Sequence, residues 1–333
     1  MKNNTKLLNI LEVVFAALVG IALLLALILV GDMLMPQRWD YGATWDMYLQ
    51  EDEDTIDVMF FGTSLAYCDV IPPLIYETTG LTSYVLAGPA QTAEQTYYTI
   101  REAMKTQSPQ AIFVEVSCAF SNEDLFPHIN VGYMPWSYNR LAATFTTERG
   151  EWAGLLFPLY SYHSRFVQES DEQDRMLFNS PTDDLCGYTY LNTSVEIESN
   201  TTSENWKNSP DDGSVETGLK YFAKISEFCA AEGVKLYFYF TPTTRFAPEK
   251  AMEMLVAGLS EIECETVYDF SDMALDIGIS YATDWYDAGH LNFRGAKKFT
   301  EFLSIVIVQL GLEPNGTENT ELWNARVENI RKK

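Results

Sequence analysis

Histidine is scarce in this chain, and that scarcity confines any serine chemistry to one place. The only histidines are His128, His163 and His290, and a serine nucleophile needs an imidazole to take its proton. His290 alone has a carboxylate three residues before it, Asp287, and a helix-start run after it, Leu291-Asn292-Phe293-Arg294-Gly295. At that spacing both side chains converge from one turn, so that the carboxylate holds Nδ1–H while Nε2 faces a hydroxyl. Asp284, three residues earlier still, competes for the orienting role. The matching hydroxyl is Ser64, in Phe60-Phe61-Gly62-Thr63-Ser64, where an apolar run ends in a glycine turn. Gly62 permits that turn, and a helix beginning at the serine would aim its first N–H groups at a developing oxyanion. Taken singly, these residues read as a strand-end serine, a helix-capping histidine and a turn-forming aspartate. Together they make one candidate Ser/His/Asp set, a nucleophile with its base and orienter, of the kind a hydrolase uses.

Other chemistries lack their residues. His128 and His163 have no acid at a matching spacing, and the five cysteines at 68, 118, 186, 229 and 264 form no CxxC, so no metal is expected. No glycine-rich phosphate loop follows the first strand, so no nucleotide or flavin cofactor is expected either. An odd cysteine count leaves at least one thiol unpaired, and the apolar stretches around Cys118 and Cys229 suit buried free thiols. The formal net charge of −25 excludes a nucleic-acid partner, which needs lysine and arginine clusters.

The elements that must position the serine and the histidine follow from short apolar runs. Ile56 to Phe61, Ser83 to Leu86, Ala111 to Val116, Lys235 to Phe240 and Thr266 to Phe270 read as buried strands. Helical patterns occupy 92–106, 215–232 and 248–262, with a last helix from Phe293 to about Leu310 capped by Asn292. Strands alternating with helices predict an α/β fold on a parallel sheet, and Ser64 falls at the carboxyl end of the first strand, where such sheets bind ligands. Residues 118–214 interrupt the alternation for longer than an ordinary connection and read as an insertion over the site. Its Tyr133, Trp136, Tyr138, Trp152 and Phe157 suit either a substrate groove or a satellite core, and its second half, 192–212, is polar.

Val13 to Val30 carries no charge and is long enough to cross a bilayer as a slightly short helix. It has no Ala-x-Ala exit, which predicts an uncleaved signal anchor, and Lys2 and Lys6 ahead of it put residues 1–12 inside. The expected organisation is then a juxtamembrane stalk over 31–55, the sheet domain over 56–312 outside the membrane, and a polar tail over 313–333. Trp39, Tyr41, Trp45 and Tyr48 of the stalk suit a membrane interface or packing on the domain.

Gly62-Thr63-Ser64 after a first strand and Asp287-x-x-His290 before a last helix resemble the SGNH, or GDSL-like, hydrolase superfamily, over roughly residues 56–310. The resemblance implies a three-layer, flavodoxin-like sheet with Ser64 as nucleophile, His290 as base and Asp287 as its partner. It also implies an oxyanion hole from the N–H groups of Ser64 and Gly88. Two departures stand out: Gly-Asp-Ser has become Gly-Thr-Ser, and the Gly-x-Asn-Asp block after the third strand reads Glu115-Val116-Ser117-Cys118. Either Ser117 or Asn122 replaces the missing asparagine, or the backbone groups of Gly88 and Ser64 suffice. The anchor and the Asp-x-x-His-Leu-Asn ending are similar to the membrane-anchored acyl-transfer branch, which includes the D-alanyl transfer protein of teichoic acids and cell-wall O-acetyltransferases. That likeness implies a multi-spanning membrane O-acyltransferase as partner and an envelope polysaccharide or teichoic-acid-like acceptor. The alternative is a catalytically silent binding or scaffold protein of the same fold.

Overall fold

Each of the five apolar runs becomes a strand: β1 (Val58–Phe61), β2 (Ser83–Val85), β3 (Ala111–Glu115), β4 (Lys235–Phe240) and β5 (Thr266–Asp269). All neighbours pair in parallel, in the order β2-β1-β3-β4-β5. The computed structural model describes residues 2–121, 125–166, 185–197, 212–245, 247–316 and 319–333. They divide into a larger unit, 38–148 with 181–333, and a smaller one, 1–37 with 149–180.

In the larger unit helices cover both faces of the sheet, which is why its strands are apolar on both sides. Val58, Phe60, Phe113, Tyr237 and Tyr239 share one core with Phe299, Leu303 and Ile307 of the last helix, Phe293–Gln309. On the other face the ring of Phe238 lies 4.9 Å from that of Phe222, in helix Asp212–Glu232. Each such side chain taken out of water stabilises the fold by roughly 1.5–3 kcal/mol. The strand order reverses direction between β1 and β3, the point at which an open parallel sheet leaves a crevice beyond its carboxyl ends.

The described residues of 118–214 fall in both units. Residues 125–148 stay with the larger unit, where Ser137 Oγ and Asn139 Nδ2 donate to Glu102 at 2.7 and 2.8 Å. Residues 185–197 return to the sheet domain and bury Tyr188 and Leu191 in its core. Residues 122–124, 167–184 and 198–211, which include most of the polar half, lie outside the described residues. Of the stalk aromatics, Trp45 and Tyr48 are buried in helix Trp45–Tyr48 and Trp39 is exposed. The tail also differs from its polar appearance. Helix Thr320–Arg331 buries Trp323, Val327 and Ile330, stacks Trp323 on Tyr76 at 5.1 Å, and pairs buried Arg326 with Glu51 at 3.1 and 2.5 Å.

The smaller unit holds the helix Lys2–Met33. Its segment Asn9–Met33, 25 residues with a mean hydropathy of 3.2 and unburied except at its carboxyl end, where Gly31 and Asp32 are buried, is long and apolar enough to cross a membrane. Helix Pro158–Tyr162 meets its carboxyl end so closely that a Cβ on Gly31 would lie 2.3 Å from the Leu159 nitrogen.

Candidate active site

A self-bonded loop before the last helix holds the histidine. Asp287 Oδ1 accepts the N–H groups of Gly289 at 2.7 Å and His290 at 3.0 Å, bending the chain into a turn. The Tyr286 N–H donates to the His290 carbonyl at 2.9 Å. Because the turn brings the two side chains together, His290 Nδ1 lies 2.9 and 3.0 Å from the Asp287 carboxylate oxygens. Nε2 of the same ring is 2.7 Å from Ser64 Oγ. The tautomer that satisfies all three contacts carries its proton on Nδ1, leaving Nε2 to accept from the serine. Burial alone would raise the Asp287 carboxyl, but the hydrogen bond and charge of His290 and the two backbone N–H groups outweigh it and bring it to about 2.

The competing acid is engaged elsewhere. Asp284 is buried, and its carboxylate takes Lys298 Nζ at 2.6 Å, the Ser280 N–H at 2.8 Å and the Thr283 hydroxyl at 2.9 Å. Asn292 caps the last helix, with Oδ1 accepting from Arg294 and Gly295, and its Nδ2 donates to the Thr283 carbonyl at 2.8 Å. Beneath the loop, buried Asp69 accepts the Leu291 N–H at 3.2 Å. Burial holds the Asp69 carboxyl well above the usual range.

Ser64 opens helix Ser64–Asp69 directly after β1, with Thr63 as the cap. Gly62 is required there: it adopts φ +136°, and a Cβ on it would come within 2.7 Å of the Glu115 Cβ. The buried Glu115 carboxylate, at the end of β3, gathers four donors. Oε2 accepts the hydroxyls of Thr63 and Ser117 at 2.7 Å each and the Thr63 N–H at 3.3 Å. Oε1 accepts the Ser117 N–H at 2.7 Å. Burial pushes the Glu115 carboxyl up while these donors pull it down, and the net shift is upward.

The four expected oxyanion donors fare differently. The Ser64 N–H, at the first turn of its helix, has no acceptor among the described residues. The Gly88 N–H is given to the Gly62 carbonyl at 3.2 Å. The Ser117 hydroxyl reaches the cleft, but its proton goes to Glu115. Asn122 lies outside the described residues. A donor that sequence reasoning overlooked is Ala90, which lines the cleft with Ser64, has φ +45°, and carries an N–H without an acceptor among the described residues.

The cleft over the serine holds about 140 Å³ and is lined by Thr63, Ser64, Leu65, Ala90, Ser117, Ser121, Thr243, Arg245, Gly289 and His290. An adjoining pocket of about 40 Å³ shares Leu65, Ser117, Thr243 and Arg245 and is floored by Phe120, Phe240, Ala247 and Met252. None of Tyr133, Trp136 and Tyr138 lines either space. Arg245 was not foreseen, although its place five residues beyond β4 is where the carboxyl-end rule directs attention. Among the described residues no group of three or more His, Cys, Asp and Glu converges as a metal site, and none of the five cysteines forms a disulfide.

No protein-family model matches the sequence, and no curated protein is similar to it. Among solved structures, the chain is similar to a Bacteroides fragilis protein provisionally described as an acylhydrolase, with 12% identity and a TM-score of 0.39, over 80% of this chain and 94% of that one. It is also similar to a Bacteroides thetaiotaomicron protein described as a GDSL-like lipase, with 11% identity and a TM-score of 0.40, over 81% of this chain and 99% of that one.

Proposed function

We propose that this chain is a membrane-anchored serine esterase or O-acyltransferase of SGNH type that works outside the membrane. The carrying observation is the unbroken hydrogen-bond chain from Ser64 Oγ through His290 to Asp287, with 2.7 Å at the serine and 2.9 Å at the carboxylate. In the reaction Ser64 Oγ attacks the acyl carbonyl as His290 Nε2 takes its proton, and the imidazolium is held by ionised Asp287. The N–H groups of Ser64 and Ala90, which have no acceptor among the described residues, would serve as donors to the oxyanion. Nε2 then returns the proton to the leaving alkoxide, and the acyl-serine is attacked by water or by a hydroxyl of an envelope polysaccharide or teichoic-acid-like polymer. A multi-spanning membrane O-acyltransferase would be the donor-side partner.

Purified full-length chain in detergent should turn over a chromogenic acetyl ester, and Ser64→Ala should reduce kcat at least about a thousandfold. Undiminished turnover by a folded S64A would sink the reading. The silent-scaffold alternative draws on one observation, the commitment of the Gly88 N–H and the Ser117 hydroxyl to partners inside the fold. Labelling of Ser64 by a fluorophosphonate, absent in S64A, decides against silence.

A further inference from the structure

Arg245 is a cation lining the cleft that makes no ion pair among the described residues. Its Nε is buried and has no hydrogen-bond partner among them, although acids outnumber bases 47 to 22 in the chain. Its guanidinium carbon lies 3.5 Å from the position a Cβ on Gly289 would take, beside the turn that carries His290; Asp287 Oδ1 is also 3.5 Å from that position, but its carboxylate is held by His290. The loop is fixed: the Arg245 N–H donates to Thr243 Oγ1 at 3.0 Å, and Thr244 Oγ1 donates to the Ala288 carbonyl at 2.5 Å. An unpaired buried guanidinium donor is costly, and a carboxylate or phosphate is the group its fork geometry suits.

Resting on the esterase or transferase reading above, we infer that Arg245 binds an anionic group, carboxylate or phosphate, on the alcohol side of the ester. The side follows from the two spaces. Arg245 lines both, but the pocket of about 40 Å³ is mostly apolar and has the acidic Glu115 in its wall, which disfavours an anion there. A short acyl group fits it, leaving the anion in the cleft of about 140 Å³.

The test compares full-length wild type and R245Q in detergent on 3-carboxy-4-nitrophenyl acetate, its neutral methyl ester, and 4-acetoxyphenyl phosphate. R245Q should lower the anionic-to-neutral ratio of kcat/KM by about 10- to 100-fold, mainly through KM, for the carboxylate, the phosphate or both, with R245K intermediate. A ratio unmoved for both anions, or an equal fall on charged and neutral esters, overturns the inference. Calorimetry on S64A with benzoate and with inorganic phosphate separates it from the catalytic reading. At least one should bind and weaken about tenfold or more in S64A/R245Q, whereas no binding, or binding indifferent to R245Q, overturns it. If wild type cleaves no ester while this arm succeeds, the catalytic reading fails and the anion site stands.

Discussion

Thr63 and Glu115 hold together two positions that read as unrelated departures from the SGNH pattern. The carboxylate missing before Ser64 has a counterpart one strand away, with the Thr63 hydroxyl 2.7 Å from Glu115 Oε2. An aspartate restored at 63 would therefore set a second carboxylate against a buried one, where like charges and burial act in the same direction. T63D should cost at least about 2 kcal/mol, read as a lower urea midpoint at unchanged slope, while T63S should stay within about 1 kcal/mol. Equal stability of T63D and wild type would refute the pairing. At Asp287 the amide in D287N presents N–H to the imidazole and favours the wrong tautomer, so kcat should fall by about 10²- to 10⁴-fold with KM little changed. The pH sign follows from the carboxyl at about 2. A depressed acid contributes stability above its unfolded value near 4 and loses it as pH falls through about 2. Acid unfolding of D287N should thus be shallower between about pH 4 and pH 2, and a curve parallel to wild type would contradict the shift.

Among the elements, the last helix and its lead-in loop are one device. Asn292 caps the helix through Oδ1 and ties the loop through Nδ2, so N292A should cost about 1–2 kcal/mol and also lower kcat by displacing His290. A stability loss with kcat intact would uncouple cap from site. In the smaller unit Gly31 admits the Leu159 backbone; G31L should expose 149–166 to limited proteolysis, and unchanged digestion would deny that contact. The five strands, the cap and the Asp287–His290 turn were legible because buried parallel strands are apolar runs and because the turn closes on sequence neighbours. Helix Thr320–Arg331 was not, since its Arg326 is neutralised by Glu51, 275 residues away, and only the fold makes a buried arginine favourable. The Gly88 N–H could not be read either, because backbone bonding to Gly62 leaves no mark in side-chain types. Arg245 escaped for the opposite reason: its meaning lies in a partner that the chain does not supply.

At the scale of the molecule, a net charge of −25 from 47 acids and 22 bases leaves an excess of negative surface that repels itself in the folded state more than in the expanded chain. Two attractive pairs are sheltered on at least one side: Arg326 and Glu51 are 1% and 7% exposed, and Asp284 is 1% exposed beside Lys298. Salt reduces interactions between exposed charges far more than those between buried ones, with a screening length of about 30 Å at 0.01 M and about 10 Å at 0.1 M. The repulsion should therefore weaken on adding salt while the pairs persist. Raising sodium chloride from about 0.01 M to about 0.3 M should lift the Tm by a few degrees, measured at fixed protein and detergent concentration. A Tm that falls instead would mean that exposed ion pairs dominate the surface. The same screening would let an anionic substrate approach an acidic protein more freely, while the short-range pull of Arg245 in its cleft is the part that salt leaves largely in place.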